Sequence, residues 1–402
     1  MPTTSKGNTN RQLTAARKAK KDEFYTTKQI VEDELHWYQD DFRNRPVLCN
    51  CNDWPNSEFV KYFMRKMASL NIPKLIAVGY ENTVGTMFEE GHGTLYELVN
   101  DGRPADQPYT IEDFKTTKLE GSGGFETPEC ENLLDIPNVI VCTNPPFSRI
   151  KSFLPMLDRH NVGFLVLANI NAITYKECFS LIMNERCWLG VNNGNMWFRV
   201  PDDYESNGDN DKRFRVDEDG GHWRSIGNAC WFTNLNGGRI GKNELSLEGN
   251  RYDPMKYPKY DDYDAINVDR VQEIPEDYFG EMGVPVTFLT KWAPEPAESV
   301  TERERERERE RTGSIQSART HRQLLAGRIQ SGGIRAHSGS EEVQASHHPT
   351  FRLVGELHHG TDGPWDKSKP IVMGREKYVR FLIRRSDCLA SPTAPGGSAG
   401  SV

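Results

Sequence analysis

Asn138-Val139-Ile140-Val141-Cys142-Thr143-Asn144-Pro145-Pro146-Phe147 is the stretch on which the fold turns. Residues 138–142 predict a strand. Val139 to Cys142 are apolar without alternation, so both faces of that strand are expected to be buried, as in a parallel sheet covered on each side. Two prolines then stop it, because proline has no N–H for a ladder and a fixed φ. Outward in both directions the same texture recurs. Val47-Leu48-Cys49, Lys74-Leu75-Ile76-Ala77-Val78 and Gly163-Phe164-Leu165-Val166-Leu167 predict further buried strands. Helices are expected between them: 29–42, a segment capped by Asn56 or Ser57 and running through Phe59, Tyr62, Phe63, Met67 and Leu70 to Pro73, then 130–134 and 150–157. Short apolar strands alternating with helices predict an α/β fold with a doubly wound, mostly parallel sheet. Such sheets bind ligands beyond the carboxyl ends of their strands.

The Asn144-Pro145-Pro146-Phe147 run falls at such an end. An aromatic amine is a poor nucleophile because its lone pair is delocalised into the ring. The Asn144 side-chain oxygen and the Pro145 carbonyl can accept both amine hydrogens, which pulls the nitrogen toward sp3 and aims its lone pair at a methyl donor. Pro145 and Pro146 stiffen the loop and remove competing donors. Phe147 offers a stacking face, worth about 1–3 kcal/mol per base. No covalent intermediate, and so no catalytic cysteine, is required. With proline at about 5% of residues, an Asn-Pro-Pro-aromatic run arises by chance in a chain this long in roughly 1% of cases. The alternative is a rigid turn.

Signals for a cofactor are weaker. Phe24-Tyr25-Thr26 opens the globular part, and its aromatic rings could pack on a sulfonium or an adenine. Residues 50–53, with Asn50 and Asp53, follow the first strand, where a nucleoside cofactor is cradled, but they form no glycine-rich loop. Glu81 follows the second strand, placed to bind ribose hydroxyls. Gly121-Ser122-Gly123-Gly124-Phe125 precedes the Asn144 strand and could lie under an adenine, with Phe125 against it.

The rest of the chain bounds the class. The 402 residues carry a net charge of -8, which argues against a non-specific coat for nucleic acid but not against an enzyme with basic groups on one face. No apolar run reaches the ~20 residues of a membrane span, and the N-terminus lacks the apolar stretch of a secretory signal. The eight cysteines, several beside apolar residues, suit buried thiols of a cytoplasmic protein. Cys49 and Cys51 have no second pair at zinc spacing, so no metal is expected. Residues 1–21 predict a flexible arm with a basic cluster (Arg11, Arg17, Lys18, Lys20, Lys21), and residues 22–189 a catalytic domain. From residue 190 tryptophans and tyrosines among Asn, Gly and Asp predict β-rich or irregular, substrate-facing structure to residue 296. Five Glu-Arg repeats at 302–311 place like charges at i, i+4. Residues 297–349 are therefore expected to be a low-complexity, disordered insertion, with order returning at 351–386 and a disordered tail at 387–402.

Longer runs carry a resemblance. Asp22-Glu23-Phe24-Tyr25-Thr26, Cys49-Asn50-Cys51-Asn52-Asp53, Asn144-Pro145-Pro146-Phe147, residues 169–177, residues 196–201, residues 257–261, residues 264–268 and residues 283–289 resemble EcoRI-type adenine-specific DNA methyltransferases, over about 22–296 and again at 351–385. The resemblance implies a class I, Rossmann-like methyltransferase fold. It implies S-adenosylmethionine as cofactor and N6 of adenine in a short duplex DNA site as target, the adenine being flipped out of the helix. It places Phe24, Tyr25 and Thr26 near the cofactor and Asn144 to Phe147 in the catalytic loop, in the gamma-type order. One departure is Gly124, where the family often has an Asp expected to bind the cofactor adenine amine. A role in restriction–modification or phage self-protection follows. Target recognition is expected in 190–296, with Arg199, Arg224, Lys256 and Lys259 as contacts to phosphate or base edges. A monomer is expected. Methylation of RNA or of a protein glutamine, and a silent DNA-binding homologue, are the alternatives.

Overall fold

The structure is a computed structural model. It describes residues 24–52, 54–80, 92–204, 206, 211–242, 244–247, 249–261, 263–295, 351–357, 371–372, 375–376 and 380–385. The chain divides into two units, residues 1–293 with 349–402, and residues 294–348. Everything below belongs to the first.

Ten strands form the main sheet. They are β1 (Val47–Asn52), β2 (Lys74–Gly79), β3 (Thr94–Val99), β4 (Lys115–Lys118), β5 (Ile140–Thr143), β6 (Gly163–Asn169), β7 (Trp188–Leu189), β8 (Gly194–Arg199), β9 (Phe214–Val216) and β10 (His222–Thr233). Their order is β4-β3-β2-β1-β5-β6-β10-β7, with β8 and β9 both paired to β10. The middle strands β2, β1, β5 and β6 run parallel. Parallel character is confined to them. β3 and β4 extend one side antiparallel, and β10 lies antiparallel to β6 on the other.

The division has a physical cause. The parallel strands are covered on both faces, so they need unbroken apolar runs, and β5 is buried along its whole length. β4 is exposed at every position and reads Lys-Thr-Thr-Lys, which explains why sequence pattern alone does not reveal it.

Helices cover both faces: α1 (Lys28–Leu35), α2 (Gln39–Phe42), α3 (Glu58–Lys66), α4 (Pro128–Asn132), α5 (Ile150–Arg159) and α6 (Lys176–Met183). Val47 and Cys49 of β1 join a core with Val31, Leu35, Phe42, Phe59 and Phe63 of α1 to α3. Leu48 faces the other way, into a core with Phe153, Leu154 and Phe179 of α5 and α6. That is the doubly wound arrangement expected. The single helix expected over 29–42 is instead α1 and α2 separated by a tight turn of three residues, His36–Tyr38. The helix capped at Ser57, whose hydroxyl accepts from the Val60 N–H at 3.4 Å, ends at Lys66 rather than Leu70.

A second sheet, of β11 (Ala265–Asn267), β12 (Glu281–Pro285), β13 (Phe351–Leu357) and β16 (Arg380–Arg385), has the order β11-β12-β16-β13. β14 (Ile371–Val372) and β15 (Arg375–Glu376) pair separately. Phe381 stacks on Phe179 of α6 at 5.4 Å, which joins this sheet to the α6 side of the core.

β10 outruns β6. Ala229 pairs with Asn169 at the carboxyl end of β6, so residues 222–228 project past that end and carry β8 and β9 with them. The start of this ribbon is tied down by Glu34, fully buried in α1. Its carboxylate accepts from Tyr38 Oη at 2.7 Å, Val191 N at 2.8 Å and Asn192 N at 2.7 Å, and burial pushes its pKa up despite those bonds. Buried Lys242 donates to the Gly190 carbonyl at 2.9 Å, and burial lowers its pKa to about 8.

Candidate active site at the carboxyl edge of the sheet

β5 delivers Asn144 to the carboxyl edge, and Phe147 then opens a short 3-10 turn into α5. Pro145 is buried and Pro146 exposed. Where β1 bulges between Cys49 and Asn52, the Thr143 hydroxyl takes over from the ladder. It donates to the Cys51 carbonyl at 3.0 Å and accepts from the Cys51 N–H at 3.1 Å. The loop thus starts from a fixed base.

The Phe24–Thr26 segment crosses from far away in sequence and pairs with the free edge of β8. Tyr25 N donates to the Arg199 carbonyl at 2.8 Å, and Arg199 N to the Tyr25 carbonyl at 3.2 Å. Phe24 and Thr26 both meet the Asn144 loop. Asn144 Nδ2 donates to the Phe24 carbonyl at 2.7 Å and to Thr26 Oγ1 at 3.0 Å. Alternation along an extended segment turns Tyr25 to the other side. Asn144 Oδ1 is buried and has no hydrogen-bond partner among the described residues. Such atoms are rare in folded proteins, and each calls for a physical reason.

Three rings wall the same spot. Phe147 stacks on Phe24 with centroids 5.3 Å apart and planes 29° off parallel. Phe198 of β8, fully buried, meets Phe24 edge-on at 5.8 Å and Phe147 at 6.4 Å. Phe198 and Thr143 were not singled out from sequence. The sequence carried no signal for Phe198, since Met196, Trp197 and Phe198 are apolar in succession and only the fold shows that Phe198 alone of the three is buried.

Near the carboxyl end of β1, Asn50 is 2% exposed, and neither atom of its amide has a partner among the described residues. The Gly121–Gly124 loop lies against the end of β2. A Cβ on Gly123, whose φ is +78°, would stand 2.6 Å from the Gly79 carbonyl, and one on Gly93 only 2.4 Å from Gly123 Cα. Gly93 and Gly123 therefore permit a backbone approach that side chains would block. Glu129 braces this loop by accepting from Glu120 N at 2.9 Å and Gly121 N at 2.7 Å, bonds that hold its carboxyl below the usual carboxylate range. Phe125 is turned into the core, edge-on to Phe153 at 4.8 Å. Asp53 and Glu81 lie outside the described residues.

Arg199 and Arg224 lie on the paired strands β8 and β10, while Lys256 and Lys259 come after the ribbon in the chain. Arg224 is largely buried and paired with Asp211, which ties β10 to the segment before β9. Arg199 is paired with Asp202 at 3.1 Å, and Lys259 with Asp264 at 2.5 Å. Lys256 lies over the Tyr257 ring at 5.0 Å. On the same ribbon, exposed Arg215 lies 4.5 Å over Trp197 and 5.5 Å from Trp223, an arrangement not anticipated from sequence.

Among the described residues, no three metal-ligating side chains gather, and the seven described cysteines are free thiols. Burial pushes the Cys51 thiol up to about 12, far from a reactive thiolate. No helix among these residues is long and apolar enough to cross a membrane.

Comparison with known proteins agrees with this geometry. Residues 12–386 match the family model described as adenine-specific methyltransferase EcoRI. The Type II methyltransferase M.EcoRI of Escherichia coli is 40% identical over 301 residues, covering 73% of this chain and 90% of that protein. The Type II methyltransferase M.MpnI of Mycoplasma pneumoniae is 35% identical, covering 71% and 83%. M.MgeORF184P of Mycoplasma genitalium is 34% identical, covering 71% and 84%. No solved structure matches. A chain matched along most of its length, with Asn144-Pro145-Pro146-Phe147 at the carboxyl edge of a doubly wound sheet, belongs to the EcoRI family of adenine-specific methyltransferases.

Proposed function

We propose that the protein transfers a methyl group from S-adenosylmethionine to N6 of an adenine flipped out of a short duplex DNA site. The observation that carries this is the Asn144 carboxamide. Its NH2 is engaged by Phe24 and Thr26, and its oxygen is left buried and unpartnered. A buried acceptor without a donor costs about 1–3 kcal/mol, and a bound amine N–H relieves that cost.

Asn144 Oδ1 accepts one N6 hydrogen and the Pro145 carbonyl the other. Holding both hydrogens on the acceptor side turns the nitrogen lone pair away from the ring and toward the incoming methyl. Phe147 supplies the stacking face for the flipped base, with Phe24 and Phe198 setting the angle of its ring. Flipping costs a few kcal/mol of unstacking, which this stack offsets in part. The methylated amine must then lose a proton, which the weakly basic Asn144 and Pro145 oxygens cannot keep, so it passes to water.

The residues fit the cofactor. Asn50 offers an unpartnered amide donor and acceptor at the end of β1, and the Gly93–Gly123 contact keeps the neighbouring backbone free of side chains. Asn50, Phe24 and Tyr25 would hold S-adenosylmethionine, with Asp53 and Glu81 as further contacts. When bound, the sulfonium supplies an activated methyl group. Residues 190–296 are assigned to target recognition, since the β8–β9–β10 ribbon runs out past the edge that bears Asn144. We place the enzyme in the cytoplasm as a monomer, within a restriction–modification or genome self-protection system.

Asn144→Ala tests the reading. Turnover on duplex DNA should fall by about 10³-fold or more, with binding of S-adenosylmethionine unchanged. Wild-type turnover would overturn the role of Asn144.

A further inference from the structure

Asn144 helps an amine only with its oxygen forward. Rotation of the amide by 180° would present NH2 to an N–H donor, which is repulsive. Nothing in the backbone of the Asn144 loop selects between the two orientations. The Phe24–Thr26 segment does. A main-chain carbonyl can only accept, so the Phe24 carbonyl 2.7 Å away requires Nδ2 on its side. The Thr26 hydroxyl at 3.0 Å then accepts the second Nδ2 hydrogen. Both donors are used, and the oxygen alone remains.

The segment is itself anchored. Tyr25 is bonded twice to Arg199 of β8, and the next residue, Thr27, caps α1 by accepting from the Ile30 N–H at 3.4 Å. Thr26 is held from both sides along the chain, so its hydroxyl is a fixed point and not a free rotor on a loop.

We infer that Thr26 is a positioning residue for the Asn144 carboxamide, and that its hydroxyl acts on the transfer step through Asn144 instead of serving as a cofactor contact. This rests on the reading of Asn144 as the amine acceptor. Loss of one of two orienting bonds leaves the Phe24 carbonyl in place, so the amide is loosened and not reversed. Misplacement of a reacting group on this scale costs about 10- to 100-fold in rate.

The test compares Thr26→Val, Thr26→Ser, Asn144→Ala and the Asn144→Ala/Thr26→Val pair, in the full chain, on duplex DNA that the wild type methylates. Valine keeps the shape of threonine and removes the acceptor. Thr26→Val should lower the single-turnover rate about 10- to 100-fold, with unchanged Kd for S-adenosylmethionine and for DNA and an unchanged Tm. Thr26→Ser should restore the rate. In the Asn144→Ala background Thr26→Val should cost nothing further, because the group it positions is gone. A wild-type rate in Thr26→Val, a loss that resides in cofactor Kd, or effects of the two substitutions that multiply would each overturn the inference. If Asn144→Ala is inactive and Thr26→Val is normal, only the positioning role fails. If Asn144→Ala turns over normally, the acceptor reading fails first.

Discussion

Along β5 every side chain from Ile140 to Thr143 is buried, and the one hydroxyl among them is bonded on both sides. One residue later Asn144 holds a buried oxygen with no partner among the described residues, and in the second half of β1 the Asn50 amide has none at either atom. β5 itself satisfies the ordinary rule that buried polar groups are paired, and Asn144 breaks it within a single step of chain. Unpartnered buried atoms occur elsewhere too among the described residues, on Tyr62, Trp188 and Trp231, but those are single O–H or N–H groups on large rings inside the packed core. Asn144 and Asn50 are carboxamides near the carboxyl edge, where the proposed substrate and cofactor would supply the missing partners. The two regions differ in what they are built to satisfy: β5 packs against the protein, and the proposed site at its end is completed by ligands.

That contrast can be broken by cutting each region separately. The largest effect is expected deep in the strands. Phe164→Ala, at the fully buried amino end of β6, should cost about 3–5 kcal/mol of stability by creating a cavity. Turnover per folded molecule should stay near the wild-type value. Denaturant unfolding together with active-site titration checks both, and a specific loss of turnover would mean that core and edge are coupled. Phe147→Ala should do the reverse. It should lower turnover about 10- to 100-fold through lost base stacking and leave the unfolding midpoint within a few degrees. An unchanged rate would remove Phe147 from the stack.

Gly124→Asp sharpens the cofactor side. A Cβ at Gly124 meets nothing nearer than Ser122 Oγ at 3.4 Å, so the substitution fits without strain. It introduces the acidic residue that the resemblance leads one to expect there, and it should tighten S-adenosylmethionine by about 10-fold, the effect of one charge-assisted hydrogen bond. Isothermal titration reads it, and weaker binding would place the cofactor adenine elsewhere. The smallest effect is expected from deleting 297–349, with turnover and folding both unchanged. Loss of folding on deletion would show that segment to be structural.

The contrast also explains what the sequence could show. The four parallel strands were legible because burial on both faces demands apolar runs such as Val139–Cys142 and Phe164–Leu167. β4 was not, since an exposed edge strand tolerates Lys and Thr and loses the apolar signal, and β3 beside it is mostly half-buried, with Glu97 interrupting its apolar residues. Asn144 and Phe147 were legible because two prolines after a strand are uncommon. The orientation of the Asn144 amide was not. It depends on a bond to a residue 118 positions away in the chain, and no local pattern encodes that. Arg224 shows another thing that sequence does not encode. A basic residue among tryptophans suggests a phosphate contact, but charge pairing with Asp211 is a three-dimensional fact.

The most direct measurement is transfer of tritiated methyl from S-adenosylmethionine to unmethylated duplex DNA, with total RNA and a protein extract as parallel acceptors. Label is expected in DNA alone, recovered after digestion as N6-methyladenine. Label in RNA or protein, or in DNA as methylcytosine, would contradict the assignment of the Asn144 site to a flipped adenine.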